Sequence, residues 1–296
     1  MSTYIILADL EGIFGVTDLF DSETNRSLLL AQIKRTIDCI KKTEDSIVKV
    51  CLIHDDGRMD IEKDVLDLGA CYYGSGIKSL LSLESAADYA ILIGFHSKAG
   101  GAGVFPHSFK LEIEKVSTDD KDVGEVYMFS KFFKLRGTKV IFVSGEGFFD
   151  DEMVFEGTIT HYINNSVDYE DSLSTALEAP VESIKSFVTD DEVLLYLNNT
   201  DYYNLIDHSS YSKERKCFVF ESIQDFFKKI IELAIEINRA SVIIRRTNLN
   251  FAKEISRLIK SGQAEMPDIE LLNKDIFLFN EFEREMVMNL LKTATK

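Results

Sequence analysis

Residues 3–12 of the chain read TYIILADLEG, an apolar, β-branched run that stops at two acids separated by one residue. A short apolar run of this kind predicts a buried strand that ends before Asp9. Similar apolar runs occupy residues 46–54, 88–95 and 138–144. Leucine and isoleucine at helical spacing predict a helix over residues 22–42. Apolar strands that alternate with helices indicate an α/β fold, with a mostly parallel sheet flanked by helices.

The chain is expected to divide into three parts. Residues 1–163 form the α/β core. Residues 164–239 form a smaller α+β lobe, because two apolar runs there surround a short helical stretch and precede a long amphipathic helix. Residues 240–296 form a helical C-terminal extension.

The composition excludes several classes of protein. The 33 basic and 50 acidic residues give a net charge of −17, which disfavours nucleic acid or an anionic membrane surface as a partner. No run of 18 apolar residues is present, and the first apolar stretch ends too early for a signal peptide, so we expect a cytoplasmic location. The four cysteines show no C-x-x-C spacing and are interpreted as reduced core residues.

Polar residues follow the predicted strands directly, at the positions where parallel sheets bind ligands. Asp9, Asp55, His96 and Gly145 each come just after an apolar run. Glu11 lies two residues after Asp9, so in an extended chain both carboxylates face the same side and repel each other unless a proton or cations are shared. The alternative is that one acid caps a helix and the other is solvated.

Two of the five histidines, His96 and His107, flank a glycine-rich loop at residues 100–103. Neutral imidazole binds metals and also serves as an acid or base, whereas two loop histidines bonded to backbone carbonyls would give the same pattern. Glu125 opens a helix predicted over residues 125–135. Taken alone, that acid is explained by the favourable interaction of a carboxylate with the helix N-terminus.

Together these segments resemble the D-aminopeptidase (M55, DppA-like) family of dinuclear zinc peptidases. The resemblance rests on five segments in the family's order: YIILADLEGIFG at residues 4–15, IGFHSKA at 93–99, GVFPHS at 103–108, VGEV at 123–126 and VSGE at 143–146. They are similar to the family's D-x-E-G-I-x-G, G-Y-H-A-x-A, G-V-x-x-H-[ST], G-E-x-G-L-N and V-[SA]-G-D motifs. The similarity continues more faintly to about residue 238.

The resemblance implies a site for two zinc ions. It implies that Asp9 bridges the ions, that Glu11 and His96 bind one of them and Glu125 the other, and that His107 is the catalytic histidine. Carboxylates mixed with imidazole suit zinc, and Mn²⁺ or Co²⁺ could occupy the same ligands. The resemblance also implies assembly into a homo-oligomer, such as a ring that admits only small peptides.

The sequence departs from the family at residues 54–59, His-Asp-Asp-Gly-Arg-Met, where the family's N-D-S-H-G element supplies a further zinc-ligating histidine. With one residue deleted, Asp56 falls at the ligand position; without a deletion, Gly57 stands there and the ligand is absent. His54 is a further candidate ligand, or it faces along the strand end. Phe129 stands where G-E-x-G-L-N has asparagine, and the family's basic segment after the core is not recognisable.

The leading hypothesis is a metal-dependent aminopeptidase or amidase that acts on short peptides, including peptides with an N-terminal D-residue. Two alternatives stay open. One is a non-catalytic or single-metal relative that serves as a binding or scaffold protein. The other is a metal-dependent amidase with a non-peptide substrate.

Overall fold

The computed structural model describes residues 1–19, 21–54, 59–83, 87–118, 121–146, 158–162, 168–179 and 191–261. The strands are β1 (Ser2–Ala8), β2 (Ser46–Leu52), β3 (Cys71–Ser75), β4 (Tyr89–Phe95), β5 (Ile113–Thr118), β6 (Lys121–Val123), β7 (Lys139–Gly145), β8 (Ile159–Tyr162), β9 (Val193–Leu197), β10 (Tyr211–Ser212) and β11 (Cys217–Phe220). The helices are α1 (Ser22–Thr43), α2 (Glu62–Asp67), α3 (Gly76–Leu81), α4 (Glu125–Leu135), α5 (Tyr169–Glu178), α6 (Thr200–Leu205) and α7 (Ile223–Lys260).

The main sheet has the strand order β3-β2-β1-β4-β7-β8, and neighbouring described strands are all parallel. β1 lies inside the sheet, between β2 and β4. Ile6 and Ala8 of β1 are fully buried in one core with Leu29, Ile33 and Ile37 of α1. A strand buried on both faces needs apolar side chains throughout, which explains the unbroken run before Asp9. The α/β prediction is confirmed.

A second, antiparallel sheet has the order β10-β11-β9-β5-β6. Its central pairing joins β5 to β9, with Val116 opposite Leu195. The sheet therefore combines strands from before and after residue 163. A separate antiparallel sheet and a helix at the C-terminal end of the described chain are both present, as the predicted fold class requires. α7 extends the expected amphipathic helix without a break to Lys260, whereas the helix predicted near residues 280–292 lies outside the described residues.

The described chain separates into two compact units. The first contains residues 1–198 and 210–231, and thus both sheets; the second contains residues 199–209 and the part of α7 from residue 232 onward. Among the described residues, no helix combines the length and hydropathy needed to cross a membrane.

Phe129, the residue at the family's asparagine position, lies in a cluster of aromatic rings. It is fully buried, and its ring centroid lies 5.8 Å from those of Phe95 and Phe109 and 5.2 Å from that of Phe227. Edge-to-face and tilted contacts at these distances stabilise a core. The departure from the family motif at this position therefore serves packing beneath the end of β4.

A buried ion pair connects α4 to the start of the β9 segment. The Lys131 Nζ lies 2.6 Å from Asp191 Oδ2, and the two side chains are 9% and 5% exposed. We expect Asp191→Ala to lower the free energy of unfolding by about 3–5 kcal/mol, because the lysine ammonium stays buried without its counter-charge. Denaturant unfolding followed by circular dichroism measures this loss.

The matched control is the exposed Lys34–Asp38 pair on α1, where Asp38→Ala is expected to have little effect. Replacing both members of the buried pair, as Lys131→Met with Asp191→Leu, is expected to restore most of the stability. Equal losses for Asp191→Ala and Asp38→Ala would contradict this account of the buried pair.

Candidate metal centre

The carboxyl ends of three neighbouring strands lie level at one edge of the main sheet. The register pairs Ala8 of β1 with Leu52 of β2 on one side and with Ile93 of β4 on the other. Ligands of parallel sheets bind at this edge. The polar residues that follow these three strands are Asp9, His54 and His96.

The Asp-Leu-Glu-Gly segment after β1 makes a tight turn that brings both acids to this edge. The Leu10 N–H lies 2.9 Å from Asp9 Oδ1 and 3.3 Å from Glu11 Oε2, and it donates to both carboxylates. A side chain at Gly12 would place its Cβ only 1.8 Å from the Phe95 carbonyl oxygen. Only glycine lets the chain pass this close to β4, so the fourth residue of the motif is fixed by packing.

His96 follows β4 and is 2% exposed. Its Nδ1 lies 2.9 Å from the Ser97 carbonyl oxygen. A carbonyl can only accept a hydrogen bond, so Nδ1 carries a proton, and Nε2 is the nitrogen that has the lone pair in the neutral ring. That Nε2 lies 3.5 Å from Asp9 Oδ2 and 3.6 Å from Glu125 Oε1, which is the arrangement of a histidine prepared to bind a cation together with carboxylates.

His107 is fixed in the same way beyond the glycine-rich loop. Its Nδ1 donates to the Phe105 carbonyl oxygen at 3.0 Å, and its Nε2 lies 3.9 Å from Glu11 Oε1. Its ring stacks on that of His96 with centroids 4.1 Å apart and planes 7° from parallel. Both imidazoles therefore present Nε2 to the same group of carboxylates.

Glu125 enters the site from the first turn of α4. It is 4% exposed, and its Oε1 accepts a hydrogen bond from the Phe109 N–H at 2.6 Å. Phe109 has a φ of 61°, a left-handed conformation that is unusual for a bulky residue and often accompanies functional sites. A favourable interaction with the helix N-terminus therefore does not by itself account for Glu125, because its carboxylate is directed at His96.

The carboxylates of Asp9, Glu11 and Glu125 are buried close together, with histidines beside them. Burial raises the pKa of Asp9 well above its usual range, and the charges of Glu11 and Glu125 raise it further. Burial also acts to raise the pKa of Glu11, but the hydrogen bond and charge of His54, with a contribution from His107, hold that pKa below its usual value. A divalent cation would relieve this repulsion.

The types of side chain in the site are those that bind metal ions. Asp9 Oδ2 is completely buried and has no hydrogen-bond partner among the described residues, an arrangement that proteins avoid unless the atom has another ligand. Two groups have potential ligand atoms within 4.8 Å of one another: His96, His107 and Glu125 in one, and Asp9, Glu11 and His54 in the other. Buried carboxylates and imidazoles of this kind suit zinc.

The structure brings together five of the six site residues expected from the sequence: Asp9, Glu11, His96, His107 and Glu125. The sixth, Asp56, lies in residues 55–58, outside the described part of the chain. Sequence reasoning left open whether His54 faces the site, and the structure places its Nδ1 2.8 Å from Glu11 Oε1.

Sequence reasoning assigned no role to Glu146, which follows β7. Its N–H donates to the Phe95 carbonyl oxygen at 2.9 Å, and its Oε1 accepts from the Val104 N–H at 2.7 Å. A Cβ at Gly103 would lie 2.4 Å from both Glu146 Oε2 and Ser97 Oγ. Glu146 thus connects the glycine-rich loop to the strand ends. Its position directly after an apolar strand is the feature of the sequence that could have indicated this role.

Comparison with solved structures shows a related fold. The chain is similar to the Zn-dependent D-aminopeptidase DppA from Bacillus subtilis, described as a self-compartmentalizing protease, with a TM-score of 0.65 and 16% sequence identity. The similarity covers 80% of this chain and 97% of that one. A search of curated proteins found no match.

Comparison with family models gives a match over residues 1–186, which contain every residue of the candidate centre. The matching model is that of the M55 peptidases, described as D-aminopeptidase. This span is more than half of the 296 residues. The chain therefore belongs to the M55 peptidase family, the D-aminopeptidases.

Proposed function

We propose that this M55 metallo-aminopeptidase uses a dinuclear zinc centre to remove the N-terminal residue, including a D-residue, from short peptides. The observation that carries the proposal is the convergence of buried carboxylates and imidazoles on the unpartnered Asp9 Oδ2. A buried set of this composition is costly to keep in a metal-free protein and favourable around divalent cations.

The residues divide into ligands and a proton-transfer group. Asp9, Glu11, His96 and Glu125 would hold the ions. Zinc, when bound, supplies Lewis acidity that polarises the peptide carbonyl and lowers the pKa of a water molecule. His107 has its Nδ1 proton held by the Phe105 carbonyl, so its Nε2 is the atom available to accept a proton or to support developing charge.

Assembly is part of the same proposal. DppA is described as self-compartmentalizing, and this chain shares its fold. We infer a homo-oligomer whose enclosed sites admit short peptides and exclude folded proteins.

The second candidate is a single-metal or non-catalytic relative, or an amidase with a non-peptide substrate. It is favoured by one observation: the family's ligand histidine has no direct counterpart in residues 54–59, although His54 itself is present.

Metal content and turnover of the full chain decide between these functions. After zinc reconstitution and removal of loosely bound ions, elemental analysis is expected to give two zinc ions per chain. A panel of D- and L-aminoacyl amides and dipeptides is expected to show hydrolysis of at least one member that a chelator abolishes. No bound metal would support the binding protein, and bound metal without turnover on any panel member would support the non-peptide amidase.

A further inference from the structure

His54 occupies a place that the resemblance did not assign to a ligand. It follows β2, and the Ile53 N–H before it donates to the Ala8 carbonyl oxygen at 2.7 Å, which extends the β1–β2 pairing beyond the strands. The next residue is thereby placed beside the turn that carries Asp9 and Glu11. The sheet register, and not local sequence, sets this position.

The contact between His54 and Glu11 is close and protected. Nδ1 lies 2.8 Å from Glu11 Oε1, and the two side chains are only 14% and 5% exposed. An exposed histidine–carboxylate pair would be an ordinary surface contact, whereas this one lies within a nearly buried set of charges.

Asp9, Glu11 and His54 together have the composition of a cation site. Their potential ligand atoms lie within 4.8 Å of one another, and the group includes Asp9, which is 3% exposed and has the unpartnered Oδ2. Ligands of one zinc ion lie up to about 4.2 Å apart, because each bond is about 2.1 Å long. Small side-chain rotations would close the difference.

The other two imidazoles of the centre belong to the second group of potential ligand atoms. His96 and His107 share a group with Glu125, and His96 Nε2 lies 3.5 Å from Asp9 Oδ2. Asp9 therefore adjoins both groups. Among the described residues, His54 supplies the imidazole of the Asp9–Glu11 group.

We propose that His54 is the imidazole ligand of the second zinc ion, which it binds together with Asp9 and Glu11, in place of the histidine that the family carries further along the chain. This inference rests on the proposed dinuclear centre. It places Glu11 on the ion bound by His54 and leaves His96 and Glu125 to the other ion. The departure at residues 54–59 then moves a ligand along the chain without removing it.

The test separates ligation from simple orientation of Glu11. In His54→Asn the side-chain amide can still donate to Glu11 from nearly the position of Nδ1, but its nitrogen has no lone pair to bind zinc. We expect zinc-reconstituted His54→Asn to hold one ion per chain where the wild type holds two, measured by elemental analysis. His54→Cys, which restores a zinc ligand, is expected to recover the second ion.

Asp56→Ala is the matched comparison, because a one-residue deletion aligns Asp56 with the family's ligand; we expect it to keep two ions. If His54→Asn holds two ions, the inference about His54 is wrong, whereas the proposed dinuclear centre still stands. If Asp56→Ala then loses one ion, Asp56 is the ligand in place of His54. Fewer than two ions in the wild type would overturn the proposed dinuclear centre and this inference with it. If the variants fail to fold, anomalous diffraction from zinc-loaded wild-type crystals decides: a zinc peak about 2.0–2.1 Å from a His54 nitrogen supports the inference, and its absence overturns it.

Discussion

Asp9→Asn is expected to abolish zinc binding and hydrolysis together. Asp9 belongs to one group of ligand atoms and lies 3.5 Å from His96 Nε2 of the other group, so we expect its neutralisation to affect both ions at once. The side-chain carbonyl of the introduced asparagine can still accept from the Leu10 N–H, which preserves the local turn. Elemental analysis should find no stably bound zinc, and turnover of the best substrate should fall to the rate without enzyme.

The stability of the metal-free protein provides the control for this variant. Burial and two neighbouring acids make the Asp9 carboxylate unfavourable in the absence of a cation, and asparagine removes that charge. Metal-free Asp9→Asn is therefore expected to unfold at a temperature equal to or above that of the metal-free wild type. Full zinc content in the variant would show that Asp9 is not a ligand.

His107→Ala is expected to keep its zinc and lose most of its turnover. A positioned acid–base group contributes about 10²–10⁴-fold to rate, so kcat should fall by a factor in that range. The ring lies in the His96–Glu125 group of potential ligand atoms, so zinc content is the decisive second measurement. Two ions with reduced kcat supports proton transfer by His107.

The opposite outcomes for His107 are equally specific. Loss of one ion would make His107 a ligand, and unchanged kcat with two ions would leave it without a catalytic role. Circular dichroism of the variant provides the folding control, since loss of stacking on His96 removes a packing contact as well as a functional group.

Much of the main sheet follows from local patterns. The apolar runs before Asp9 and before His96 predicted β1 and β4 because a strand covered on both faces is apolar at every position. The segment that forms α2, β3 and α3 carried no clear period, because β3 is a partly exposed edge strand with short helices on either side.

The candidate site was predictable in part. Asp9, Glu11 and His96 stand at strand ends, where a parallel sheet exposes its ligand-binding edge. Glu125 carried no such signal, because an acid in a first helical turn is explained by the helix alone. Its role becomes visible only through its position 3.6 Å from His96 Nε2 and the hydrogen bond that it accepts from the Phe109 N–H.

The sequence by itself determined four of the six strands of the main sheet, the acids and histidines placed at their ends, and the motif order that identifies the family. The tertiary structure decided that Glu125 faces His96, that His54 contacts Glu11, and that β5 pairs with β9 across a long stretch of chain. Burial patterns are local and can be read from neighbouring residues, whereas the distance between two side chains far apart in sequence depends on strand register and packing, which exist only in the folded chain.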